Sequence, residues 1–558
     1  MSLQHARLGA SGWPVLTRLT PFAKTRSVRL DVIVGIAVAL ILAGPLWFHT
    51  YPPVSDGPSH ASGAAALWDF LLTGKTLGRW SAIGTHFPIF RDYFALNRQI
   101  NANFPDHLLL IALMRFTPAH VAVKLVLTLY IVLMVAAAWW SGRALGGGHG
   151  TWIVAIVAPF ICNYLFYFGF LNFCLSVPVL LWMVAYALRH QRKLRGARLL
   201  TLTAAALVTF FLHVSTFIVA SIVLCSIALV DALANAKRHR RQASRILAAA
   251  LIPVVLALLP GVFLTWSFLF RTSLASGGRT SLLDRLLRLA SIDVLVAYSP
   301  FERVVGVVLV VLLFLAIAAV FASRGARRSV RAGDGLLVAA LLLCVLFLRA
   351  PEAMGGGYYV SHRLNLFPFL CLALWLAIRA TPKIRAAGRV AGLGAVIVLT
   401  YLRLPIHAAA DRVSALSAEI VAEVPEGSTL AILGEADVPR AISHLKSPSR
   451  APLPWDALLY VLSDRHVVNL SNYEMQTGSF PLVYRTPWDV KGCAINSDES
   501  LDWWNPATGA RVDFIIMALD TERDLPRLPD GLTAALSEYE PIRSNRMLVL
   551  YAKRGVFR

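Results

Sequence analysis

The chain has 558 residues, of which 57% are hydrophobic and only 15% charged, with a mean hydropathy of +0.63. Soluble globular chains carry about 25% charged residues, so this composition excludes a soluble enzyme and points to a polytopic membrane protein. The net charge of +22 is not a nucleic-acid footprint, because the Lys and Arg residues gather in short gaps between apolar runs.

Those basic stretches are 7–29, Arg143, 189–198, 237–245, 324–331 and 379–389. The positive-inside rule assigns them to the cytoplasm, where they also attract anionic lipids. Residues 411–558 differ, with 15 Lys and Arg against 20 Asp and Glu. Five cysteines lie in apolar runs, Cys493 stands alone in the polar C-terminal region, and there is no CxxC. The cysteines therefore indicate neither a disulfide framework nor a zinc site.

In chain order, 1–29 reads as a basic cytoplasmic N-terminus, and 30–49 as an uncleaved signal anchor rather than a cleavable signal peptide. Further spans are expected near 120–142, 151–167, 170–188, 197–212, 214–233, 246–269, 304–322, 335–349, 364–380 and 389–406. About eleven crossings result, each near the roughly 20 residues needed to traverse hydrocarbon. Every strongly basic gap then falls on one side. The loop 50–118, the turn at His213, the loop 270–303, the segment 350–363 and residues 411–558 fall outside.

Two outer segments have interfacial character. Residues 64–72, with Trp68 and Phe70, and 282–298, with Leu at helical spacing and Arg285 and Arg288 on a polar side, are expected to form short helices lying on the membrane face. An aromatic scatter (Trp80, Phe87, Phe90, Tyr93, Phe94) accompanies the first. Tyr164, Phe166, Tyr167 and Phe168 read as an interfacial belt.

Past Asp411 the pattern predicts helices at 416–424 and 455–462, with strands at 429–433, 466–470, 511–519 and 546–552. The fold expected is thus mainly α: a transmembrane domain over 30–410 and a small extracytoplasmic α/β domain over 411–558.

The first candidate site follows the first span, in Tyr51-Pro-Pro-Val-Ser-Asp-Gly-Pro-Ser-His60. Pro58 suits a first helical turn, which would bring Asp56 and His60 to one face, four apart. Such a pair could deprotonate a hydroxyl or hold a divalent cation such as Mg or Mn. Ser55 or Asp56 could equally serve as a helix cap. The second candidate is Tyr358-Tyr359-Val360-Ser361-His362-Arg363-Leu364-Asn365. An Arg at an outer helix end runs against the positive-inside bias, so Arg363 calls for an anion. A phosphate and Glu352 are the two candidates. The triple glycine 355–357 would allow flexing or close approach of substrate. His213 and Asn172 are polar groups beside apolar spans, where helix–helix hydrogen bonding is the competing role. Asp106 and His107 close the first loop, where a solvated surface is the plain alternative. No P-loop, GxGxxG, HExxH or GxSxG occurs.

The layout resembles the GT-C superfamily of polytopic membrane glycosyltransferases: a cytoplasmic N-terminus, about eleven spans, a long first outer loop with an acid soon after the first span, and an external C-terminal domain. The likeness covers nearly the whole chain, and its local match is Tyr51–His60. It implies a polyprenyl-phosphate or -diphosphate sugar donor, Asp56 as catalytic base, and Arg363 as the basic residue meeting the phosphate. Asp56 is followed by Gly57, where many members carry a second acid. The expected activity is sugar transfer to a glycan, lipid or protein acceptor at the outer face of the cytoplasmic membrane. His60 would support Asp56; Tyr359, His362, Arg363, Asn365, His213, Asn172, Asp106 and His107 would contact substrate. A transporter of lipid-linked sugars, or a non-catalytic assembly protein, is the alternative. Transporters favour related halves and interrupted helices, and neither is read from this sequence.

Overall fold

The computed structural model describes residues 21–72, 90–145, 150–191, 193–271, 278, 280–323, 330–354, 357–433, 455–485, 512–517, 536–545 and 547–556. Trp80, Phe87 and Cys493 lie outside them. Among the described residues, eight helices are long and apolar enough to cross a membrane. They are α5 (Ala119–Leu145), α8 (Leu171–Arg189), α10 (Val214–Arg238), α11 (Ala243–Arg271), α13 (Phe301–Ala322), α14 (Gly335–Arg349), α15 (Val360–Arg379) and α16 (Pro382–Ile420). The other three expected spans coincide with shorter apolar helices: the Asp31–Trp47 part of α1 (Pro21–Trp47), Gly150–Phe160, and α9 (Ala197–Leu212). The chain is a polytopic helical membrane protein with eight candidate spans.

Burial grades across the bundle. Helices α8 and α15 are mostly enclosed, whereas α11 and α13 leave most of their apolar surface outward. Val304, Val308, Val311 and Leu315 of α13 are all exposed. A row of exposed aliphatics on so apolar a helix suits contact with lipid, where every backbone polar group must be satisfied within the helix.

The expected span 151–167 is interrupted, contrary to the continuous run in the sequence. Helix α6 (Gly150–Val157) passes into the 3-10 turn Ala158–Phe160, and α7 (Tyr164–Phe168) restarts after Asn163. The Asn163 side chain caps α7, accepting from the Leu165 amide at 2.8 Å. The break frees the Cys162 carbonyl, which accepts from Arg403 of α16 at 2.5 Å. The same guanidinium donates to the Leu295 carbonyl at 2.6 Å and pairs with Glu302 at 2.9 Å. Glu302 in turn accepts from the Ala297 amide at 2.7 Å. Both terminal nitrogens of Arg403 are thus hydrogen-bonded, while its buried Nε has no partner among the described residues.

Three amphipathic expectations are corrected. Helix α2 (Gly57–Leu72) is not laid on a surface; His60, Ala61, Ala64, Ala66 and Leu67 are all buried. In α12 (Leu282–Ala290) the polarity is inverted, with Leu282, Leu283, Leu286 and Leu287 outward and Arg285 buried. Arg285 donates to the Phe347 and Ala350 carbonyls at 2.7 and 2.6 Å, capping the C-terminus of α14. A hydrocarbon exterior makes the outward leucines favourable. Tyr164, Phe166 and Tyr167 pack in the core rather than forming a belt.

The C-terminal region carries a mixed five-stranded sheet, ordered β3 (Val468–Asn469), β2 (Thr429–Leu433), β5 (Phe514–Met517), β7 (Val549–Lys553), β6 (Tyr539–Ser544). Strand β2 runs parallel to both neighbours, while β5–β7 and β6–β7 are antiparallel. The expected strands fall on β2, β3, β5 and β7, and the expected helix at 455–462 on Trp455–Ala457 and Leu458–Asp464. The expected separate helix at 416–424 is instead the end of α16. Three strands escaped the pattern: β6 and two short ones, β1 (Phe94–Leu96), which pairs antiparallel with β4 (Leu482–Tyr484). That pairing ties the first long loop to the C-terminal region.

Candidate active site

Asp56 owes its position to the end of α7. Its amide donates to the Phe168 carbonyl at 2.8 Å, and the Ser55 amide to the Tyr167 carbonyl at 3.2 Å. The chain turns immediately afterwards at Gly169, whose φ of 94° is left-handed, and a Cβ there would lie 2.8 Å from the Asp56 nitrogen. Glycine is needed for both the conformation and the approach. Helix α2 then starts at Gly57 with Pro58 in its first turn, and the His60 amide donates to the Asp56 carbonyl at 3.1 Å. The expected pairing of Asp56 and His60 on one face is present, with Nε2 and Oδ2 3.9 Å apart.

A cavity of about 450 Å³ opens beside this turn. Asp56 and His60 line one side of it, Tyr359 and Arg363 another, and Asn172 and His213 also reach it. Phe173, Ile218, Phe268 and Leu269 supply an apolar wall from α8, α10 and α11. The mouths of six loops, scattered from residue 56 to residue 480, thus meet at one end of the bundle.

Arg363 does not pair with Glu352. That carboxylate lies 3.4 Å from Arg285 and 3.6 Å from Arg288, and accepts from Ser361. The Arg363 guanidinium stacks over the Phe170 ring at 4.5 Å, and its buried Nε has no hydrogen-bond partner among the described residues. A planar cation left in this state beside a carboxylate is poised for an anionic ligand.

Asp56 has a partner that sequence reasoning missed. The Tyr473 hydroxyl donates to its Oδ2 at 2.7 Å across 417 positions of sequence. Burial, the largest influence, pushes the Asp56 carboxyl up to about 6, against the lowering pull of His60, the Tyr473 hydroxyl and Arg363. Asp456 was also missed; burial, then the nearby Asp56 charge, pushes its carboxyl up to about 8. One carboxylate able to accept a proton thus sits beside one that holds its own.

The remaining predicted residues divide. Tyr359, in left-handed backbone at φ 60°, packs on Phe168 at 4.7 Å and faces the cavity. The His213 Nδ1 accepts from the Ser215 amide at 3.2 Å, capping α10. His362 stacks on Tyr164 at 5.2 Å, and Asn365 accepts from the Val294 amide at 3.0 Å; neither lines the cavity. Asp106 and His107, whose plain alternative was a solvated surface, are fully buried. Asn172 donates to Asp106 Oδ1 at 2.6 Å and accepts from its amide at 3.1 Å, joining them to the cavity wall.

No protein-family model matches this chain, and no curated protein does.

Proposed function

We propose that the protein is a membrane glycosyltransferase of the GT-C type, moving a sugar from a polyprenyl-phosphate or -diphosphate donor to a glycan, lipid or protein acceptor. The observation that carries this reading is the single cavity lined by both Asp56 and Arg363. An acid and a guanidinium whose Nε has no hydrogen-bond partner among the described residues, facing one space, suit a displacement at a phosphate-activated sugar.

In the reaction, an acceptor hydroxyl oxygen attacks the anomeric carbon. Its proton passes to the Asp56 carboxylate, and the bond from the anomeric carbon to the donor oxygen breaks. The phosphate leaves with that electron pair, and Arg363 stabilises the charge as it develops. Tyr473 orients Asp56. The apolar wall of Phe173, Ile218, Phe268 and Leu269 accommodates the start of the isoprenoid tail. Location at the outer face of the cytoplasmic membrane, with the N-terminus cytoplasmic and eleven crossings, accords with the basic gaps.

The transporter reading gains nothing from the interrupted helix. Its freed Cys162 carbonyl is held by Arg403 rather than turned to a substrate path.

The test is transfer of a labelled sugar from a polyprenyl-phosphate donor by the purified full-length protein. Wild type should form product, and Asp56→Asn should lower the rate by about 10²–10⁴-fold, the usual contribution of a general base. Unchanged turnover in a correctly inserted Asp56→Asn protein would dismiss Asp56 as base.

A further inference from the structure

Behind Asp56, away from the cavity's apolar wall, four buried side chains converge from three separate parts of the chain. His60 comes from α2, Asp106 and His107 from α4 (Pro105–Met114), and Glu474 from the C-terminal region. His60 Nδ1 lies 2.9 Å from Asp106 Oδ2 and 2.7 Å from Glu474 Oε1. Both are ion-pair contacts between enclosed atoms. His107 Nε2 reaches the same place, 2.9 Å from Glu474 Oε2. The donor atoms of His60, His107 and Glu474 lie within 4.8 Å of one another.

The outer contacts are those of a metal centre. Asp106 Oδ1 lies 2.8 Å from His107 Nδ1, a contact that orients the ring and turns its Nε2 toward Glu474. Asn172 holds the same oxygen at 2.6 Å. The Glu474 amide donates to the Asn472 side chain at 3.0 Å, bracing the turn that presents the carboxylate. Space is made by Gly63, one turn beyond His60: a Cβ there would lie 2.0 Å from Glu474 Oε2 and 2.8 Å from His107 Nε2.

We propose that His60, His107 and Glu474 form a zinc site, with Asp106 as the carboxylate that holds His107. Two imidazoles and a carboxylate, with the Asp106 carboxylate beside them, suit Zn²⁺ rather than Mg²⁺, which favours all-oxygen coordination. The two negative charges match the ion. Bonds of about 2.0–2.1 Å in a tetrahedron set the donors roughly 3.3 Å apart, so the 2.7 Å separation of His60 Nδ1 from Glu474 Oε1 widens on binding. Asp56 is not a ligand. The ion pins α2 and α4 to the C-terminal region one residue from Tyr473, the residue that holds Asp56, and so acts as a positioning element. The site stands independently of the transferase reading.

The test is metal analysis of the full-length protein purified without chelator, which should retain about one zinc per chain. Chelation should lower its melting temperature by several degrees, and Zn²⁺ but not Mg²⁺ should restore it, as mass action requires. His107→Ala should reduce zinc content at least about tenfold. If that variant does not fold, the wild-type metal content and the Zn²⁺-specific restoration still decide the matter. Wild-type protein that holds under about 0.1 zinc per chain and whose melting Zn²⁺ leaves unmoved would make the cluster a proton-sharing network and overturn the proposal.

Discussion

Arg363 illustrates how much a single side chain's company matters. Its guanidinium is stacked on Phe170, and the nearby carboxylate of Glu352 is taken up by Arg285, Arg288 and Ser361. The planar, stacked cation rather than bare charge is what this arrangement preserves. Arg363→Lys should therefore lower kcat/KM for the lipid donor by about 10²–10³-fold, close to the loss in Arg363→Gln. Initial rates across donor concentrations would show it, and full activity in the lysine variant would reduce Arg363 to a point charge. Asp56 depends on a more distant residue. Without the Tyr473 hydroxyl it loses a charged hydrogen bond, of a kind that contributes about 1.5–3 kcal/mol.

At the level of elements, the interruption between α6 and α7 sets the site's geometry. The restarted α7 ends at the carbonyls that hold Ser55 and Asp56. The break itself is held by Arg403, with Glu302 at 2.9 Å, both buried. Removing one partner of a buried pair strands the other charge. Arg403→Leu should cost roughly 3–5 kcal/mol of stability, read as a lower melting temperature in detergent. Joint replacement of Arg403 and Glu302 by leucine should recover part of that loss. An unchanged melting temperature in the single variant would mean that the freed Cys162 carbonyl finds another donor.

For the whole molecule, the segments around the cavity and the strongly basic gaps alternate along the chain, as ends of successive helices do. With eleven crossings, a reporter in the basic loop at 239–241 and one fused after residue 556 should report opposite sides. An alkaline phosphatase fusion should be inactive at the first position and active at the second. The same signal from both would change the parity of the crossings and move the site to the cytoplasm.

Hydropathy was enough to locate the helices, because a spanning helix satisfies its backbone within one segment and needs only its own residues to be apolar. The turn at Asp56–His60 was legible for the same reason: Pro58 and a spacing of four act locally. Arg363 stood out in the sequence from its position against the charge bias. Tertiary structure alone decided the rest. Whether Arg363 keeps Glu352 depended on Arg285, whose burial the leucine pattern of α12 concealed, since in lipid the apolar face turns outward. The helix break at Ala158–Asn163 hid inside a continuous apolar run because the Cys162 carbonyl it frees is met by Arg403, 241 residues away. His107 and Glu474, 367 positions apart, come together only where β1–β4 pairing brings the first loop to the C-terminal region. Local periodicity carries no information across such distances. Packing does, because a buried charge or lone pair must find its partner wherever the chain has folded.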